Sequence, residues 1–174
     1  MSASVLPIEQ IVTRLRPDAH IEQVRPIGHG GRRETVEVEF RSWPSIIIQS
    51  AGSLDAAETE LALLTRLDRE TSIPTAPPIR AGQVGTQAWI ATDAIDGIDL
   101  HGRFTSATPQ VQRRLIRQFG AVLGEVHALW ESDHHGPVLA GGPGELYVGD
   151  PASWTTYFGA YTARHLSRLP ASDR

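Results

Sequence analysis

The sequence predicts an α+β chain: a five-stranded antiparallel sheet with one inserted helix, then a connector, then the first helices of a helical region. Two patterns predict it. Between residues 21 and 94, apolar residues alternate with polar ones or form short β-branched runs bounded by Gly and Pro, as strands do. From Thr108 to Trp130 the apolar residues recur at helical spacing instead. A length of 174 residues, 40% of them hydrophobic and 21% charged, is ample for a buried core. The expected organisation is an N-terminal helix over 1–18, a sheet lobe over 19–95, a connector over 96–107 and the start of a helical region over 108–174.

Ile8, Ile11, Val12 and Leu15 follow Pro7 at helical spacing, so a short amphipathic helix opens the chain and ends before Pro17. Ile21 to Ile27 reads as a strand, the segment Gly28, His29, Gly30, Gly31 as a turn, and Thr35 to Arg41 as a half-exposed strand, because Val36, Val38 and Phe40 alternate with Glu37 and Glu39. Ile46, Ile47, Ile48 and Gln49 form a run short enough for a buried strand. Asp55 to Arg69 is helical, with Ala57, Leu61, Leu64 and Leu67 on one stripe and Asp55 with Glu58 set like a capping pair. Pro74, Pro77 and Pro78 forbid helix beyond it. Strands over Ile79 to Val84 and Gln87 to Ala94, joined at Gly85, complete an expected five-strand meander.

Asp96, Gly97 and Asp99 mark the connector. Thr108 and Pro109 form a helix start, and Val111, Leu115, Phe119, Val122, Leu123, Val126 and Trp130 carry the apolar period onward. Gly120 and Gly124 would let another helix approach closely. His134 to Pro151, with five glycines and three prolines, reads as an irregular loop. Trp154, Phe158 and Tyr161 begin a last helix that runs to about Arg168.

Composition narrows the function classes. The net charge of −4 and pI near 5.9 give no basic field for a nucleic-acid partner. Arg113, Arg114 and Arg117 read as a solvated helix face. The chain has no Cys, so no disulfide and no thiolate metal site, and its 16 basic residues are all Arg. It also lacks Asn. Neither a signal peptide nor a run of membrane-spanning length is visible, so a cytoplasmic protein with no membrane partner is expected.

This order of elements resembles the protein-kinase-like fold, and in particular the N-terminal half of the aminoglycoside phosphotransferase or choline-kinase-like family, over most of residues 20 to 170. Gly28, Gly30 and Gly31 between two strands are similar to the phosphate-covering loop, where the absence of a Cβ lets backbone N–H groups approach phosphate oxygens; a plain hairpin turn has the same composition. In such kinases the strand after this hairpin ends in a lysine that holds the nucleotide phosphates and pairs with a glutamate on the next helix. The equivalent strand position is Gln49, which brings no charge. Glu60, followed by Leu64 and Leu67, matches the helix glutamate. Trp89 to Gly97 resembles the strand and hinge, whose backbone around Asp93 and Ile95 would hydrogen-bond the adenine edge. Val122 to Leu129 resembles the family's helix segment of small and apolar residues with a histidine near its end, His127.

The resemblance implies ATP and Mg²⁺ as cofactors and a small-molecule alcohol as phosphoryl acceptor. Phosphoryl transfer of this kind needs a loop aspartate, an asparagine a few residues on and a second acidic residue for Mg²⁺. In the family these follow the helix that ends here near Arg168. With no Asn in the chain, the usual loop is not present elsewhere, and no catalytic residue is assigned. The expectation is a kinase front half, truncated before its catalytic loop, with weak or no ATP binding and no phosphotransfer by this chain alone. An uncovered C-terminal helical face bearing Trp154, Phe158, Tyr161 and Leu166 would then favour self-association.

Two other readings stay open. His127, His134 and His135 with Asp133 or Asp150 could gather at a metal, although no pair has helical HxxxH spacing. The chain could also be a non-enzymatic nucleotide-binding or interaction module that kept the fold and lost the chemistry.

Overall fold

The patterns of alternation fold as one antiparallel sheet covered by a helix on each face. The structure is a computed structural model and describes residues 6–27, 33–98, 100–129, 131–132, 136–142, 144–149 and 153–166. Helix α1 (Ile8–Leu15) is followed by strands β1 (Ile21–Pro26), β2 (Thr35–Phe40) and β3 (Ile46–Ala51), helix α2 (Leu54–Glu70), and strands β4 (Pro78–Val84) and β5 (Gln87–Asp93). Next come α3 (Leu100–Ser106), α4 (Pro109–Ala128), the hairpin β6 (Val138–Gly142) and β7 (Glu145–Val148), and α5 (Trp154–Leu166). A five-stranded antiparallel sheet with one inserted helix, followed by helices, is the α+β architecture that the element order predicts.

The sheet order is β1-β2-β3-β5-β4, with every pair antiparallel. This corrects the expected meander. Helix α2 carries the chain from β3 to the far edge, so β4 becomes an edge strand and β5 returns to fill the gap beside β3. The return is a two-residue hairpin turn in which Gly85 takes φ +58, a left-handed conformation that glycine adopts without a Cβ penalty.

Strand alternation sets two distinct faces. Val36, Val38, Phe40, Ile46, Ile48, Trp89 and Ala91 form one buried layer with Leu6, Ile11 and Val12, which places α1 on that face. Two arginines fasten α1 to the sheet: Arg14 donates to the Gln83 carbonyl and Arg16 to the Pro44 carbonyl, each at 2.6 Å. The Arg16 guanidinium also lies over the Phe40 and Trp43 rings, 5.1 and 5.3 Å from their centroids. Glu34 adds a third tie, accepting from the Leu6 N–H with both carboxylate oxygens at 3.1 Å.

Ala88 and Ile90 alternate with Trp89 and Ala91, so they face the opposite side, where α2 packs on β4 and β5 and buries Ala57, Ala62 and Leu67. The stripe therefore differs from the expected one at its middle, since Leu61 and Leu64 are only half-buried. The cap differs too. Ser53, not Asp55 or Glu58, is the N-cap, and its hydroxyl accepts from the Ala56 N–H at 3.1 Å.

Two segments read as irregular contain regular structure. The connector holds the seven-residue α3, whose Gly102 obscures a helical reading. The glycine-rich loop holds β6 and β7, in which Gly141 and Gly142 are strand residues beside Glu145 and Gly144 is the turn, at φ +77. The α4 start is as predicted: Thr108 caps it with Pro109 at the first helical position. No α4 residue is fully buried, and nothing described lies within 4 Å of a Cβ placed at Gly120 or Gly124, so no helix approaches there among the described residues. Ile116 and Phe119 on α4 and Trp154, Phe158 and Tyr161 on α5 are each at least half exposed; the side chain of Leu166 lies outside the description.

Candidate active site

The α2 side of the sheet collects the polar residues that the core excludes. Thr35 on β2 sits directly across from Gln49 on β3, and the Gln49 amide donates to the Thr35 hydroxyl at 3.2 Å. Gln49 is thus held along the sheet by a neighbouring strand. The next residue of β2's approach on this face is Arg33, two positions before Thr35, whereas Glu34 between them turns to the α1 layer.

Glu60 projects from α2 toward this edge. Its carboxylate is paired with Arg33, Nη1 to Oε2 at 2.5 Å, with the two side chains 45% and 31% exposed. A helix carboxylate that sequence reading left without a basic partner therefore has one, supplied from the start of β2 and not from β3. The signal in the sequence is the alternation of Arg33, Thr35 and Glu37, which puts a cation on the same face as Gln49 but on the neighbouring segment.

Arg33 and Glu60 line a cavity of about 860 Å³ between α2, the end of α4 and the β6–β7 hairpin. Ser53, Thr59, Leu63, Val126, His127 and Leu139 contribute other parts of the wall. Side-chain bonds fix its frame. Arg66 pairs with Glu70 and donates to the Leu129 carbonyl at 3.2 Å, which satisfies a carbonyl just past the last turn of α4. Glu125 accepts from the Ser72 N–H at 2.7 Å, and Ala140 N–H donates to Thr59 at 3.3 Å, tying the hairpin to α2.

The sequence-selected residues are spread over this region unequally. Glu60 lines the cavity, while Gln49, Asp93 and Ile95 lie outside its wall. Asp93 ends β5; its N–H is donated to the Pro77 carbonyl at 2.9 Å and its carboxylate lies 3.6 Å from Arg16. The next N–H, of Ala94, goes to the Ser45 carbonyl at 3.0 Å. Ile95 is 64% exposed at the start of the connector. Gly28, Gly30 and Gly31 lie outside the described residues, as do His134, His135, Asp133 and Asp150. Among the described residues no three His, Cys, Asp or Glu side chains come together as a metal site, and no helix is long and apolar enough to cross a membrane.

No family model matches the chain, and no curated protein does. Among solved structures it is similar to a crystal structure described as a "putative fructosamine-3-kinase" from Thermobifida fusca, with a TM-score of 0.56 and 21% identity. The match covers 98% of this chain and 58% of that one. At that identity the likeness establishes the fold: the chain carries the kinase-like fold over a length corresponding to 58% of its structural neighbour.

Proposed function

We propose that the chain is the nucleotide-binding front of a phosphotransferase that moves the γ-phosphoryl group of ATP to a hydroxyl of a small molecule. The observation that carries this reading is Glu60. In the kinase-like fold the helix after the third strand presents a glutamate to a basic residue beside the nucleotide phosphates, and α2 presents Glu60 to Arg33 at the corresponding edge of the sheet. The resemblance to aminoglycoside and choline kinases and the name of the structural neighbour both favour a small-molecule acceptor.

In this reading the adenine edge is met at the β5 exit. Because the Asp93 and Ala94 N–H groups are engaged within the lobe, the exposed Ile95 backbone is the better donor there. Magnesium, which the reading implies, would be held largely by the nucleotide phosphates and water with one or two carboxylates; among the described residues no three His, Cys, Asp or Glu side chains gather, and no step is derived through the ion. In this reading the chain's own contribution is positional: it holds the nucleotide and orients its phosphates, and the Asn that the usual catalytic loop carries is not found in this sequence.

Titration of the purified chain with ATP, followed by calorimetry, tests the proposal. Saturable binding in the micromolar to millimolar range is expected, without phosphoryl transfer to any acceptor. Absence of binding by a folded chain would refute the nucleotide reading. It would favour the non-enzymatic interaction module, for which the uncharged Gln49, engaged by Thr35, is the supporting observation. Magnesium-dependent phosphotransfer by the same chain would overturn the claim that catalysis needs residues it does not contain.

A further inference from the structure

We propose that Arg33 is the phosphate-holding cation of this lobe, presented from the start of β2 and steered by Glu60, in place of a basic residue on β3. The proposal rests on the nucleotide reading above and assigns it a residue.

The geometry supports Arg33 in three ways. First, alternation puts it on the face shared by Thr35 and Gln49, the face that α2 covers, because Glu34 is committed to Leu6 on the other side. Second, it follows, two residues on in the sequence, the glycine segment that resembles the phosphate-covering loop. Third, its valence is unspent. Guanidinium has five N–H donors in a planar fork, of which one bond to Glu60 is made, and Arg33 makes no other hydrogen bond among the described residues.

The charge balance explains why a cation is needed at this spot. Glu60 alone would repel phosphate oxygens, and Gln49 offers only an amide already directed at Thr35. Arg33 neutralises Glu60 and keeps donors for an anion, and the bidentate fork suits phosphate better than an ammonium would. Arg66, the other arginine on the cavity wall, is already engaged by Glu70 and the Leu129 carbonyl. A partly exposed ion pair contributes about 1 kcal/mol or less to stability, so its removal leaves the fold intact and the binding test clean.

The experiment is a calorimetric titration of the intact 174-residue chain and its R33A, R33Q and R33K variants with ATP and, separately, with adenosine, with thermal melts as a fold control. ATP affinity is expected to fall about tenfold or more in R33A and R33Q, to fall by an intermediate amount in R33K, which keeps the charge but loses the bidentate fork, and adenosine affinity to stay unchanged throughout. ATP binding that is insensitive to R33A and R33Q overturns the proposal while the nucleotide reading stands. Parallel loss of ATP and adenosine affinity also overturns it, because Arg33 would then act on the lobe and not on phosphate. If the wild-type chain binds neither ligand, the nucleotide reading fails first and the proposal with it.

Discussion

Gly82 on β4 is paired across the sheet with Trp89 on β5, and substituting it with alanine tests how tightly the lobe is built around that tryptophan. A Cβ at residue 82 would lie 2.6 Å from Cζ2 of Trp89, 3.0 Å from Cε2 and 3.2 Å from Cη2. Carbon atoms in contact prefer about 3.5–4.0 Å, so the ring or the strand must give by about 1 Å. The indole has no slack. Trp89 is 1% exposed and packed within the buried layer of Val36, Val38, Ile46 and Ile48. Overpacking of this kind costs about 1–3 kcal/mol, offset by about 0.4–1 kcal/mol from the lower chain entropy of unfolded alanine, for a net loss near 1–2 kcal/mol. Denaturant unfolding followed by tryptophan fluorescence should show a lower midpoint with an unchanged slope. The control is G52A, which has nothing within 4 Å of the new methyl and should shift stability by less than about 0.5 kcal/mol. A G82A midpoint equal to wild type would refute the packing argument, as would strict additivity of G82A with W89F, since residues in contact must couple.

Four further outcomes follow from named contacts. S53A removes the N-cap of α2 and should cost about 1 kcal/mol in unfolding free energy, read by the same denaturant assay. E34A strips both acceptors from the Leu6 N–H and should free the α1 layer, raising amide exchange in residues 6–15 before any change in β3. Glu37 and Glu39 raise the Arg25 pKa, first through the hydrogen bond from Arg25 to Glu37 and then through charge; a raised arginine contributes below its unfolded pKa and loses the contribution only at strongly alkaline pH. R25A should therefore leave the shape of the stability profile between about pH 6 and 9 unchanged, as measured by thermal melts. The half-exposed apolar residues of α4 and α5 should drive concentration-dependent self-association, and F119E with F158E should reduce it in sedimentation velocity.

The lobe was more legible in the sequence than its continuation because its signals are redundant. Val36, Val38 and Phe40 alternate with glutamates, and the structure buries those three while leaving Glu37 and Glu39 partly open. The Ile46–Ile48 run and the Gly85 turn are equally local. Strand order is not local. Whether β4 or β5 sits beside β3 depends on how far α2 carries the chain, and periodicity within a strand says nothing about that distance. The β6–β7 hairpin was hidden for a different reason. Its glycines are ladder residues beside Glu145, but in sequence they carry the same weight as glycines in a turn.

The candidate site shows a sharper version of the same limit. Gln49 and Glu60 are legible as positions along the chain, whereas the charge that meets Glu60 is fixed only in space. By position, Glu60 has no basic partner; in space, an arginine 27 residues earlier reaches it from the segment just before β2. A side chain as long as arginine can serve a site from either of two adjacent strands, so loss of the usual basic residue at one position does not imply loss of the charge. In a chain whose basic residues are all arginine, every segment that borders the helix glutamate is within reach of supplying its partner.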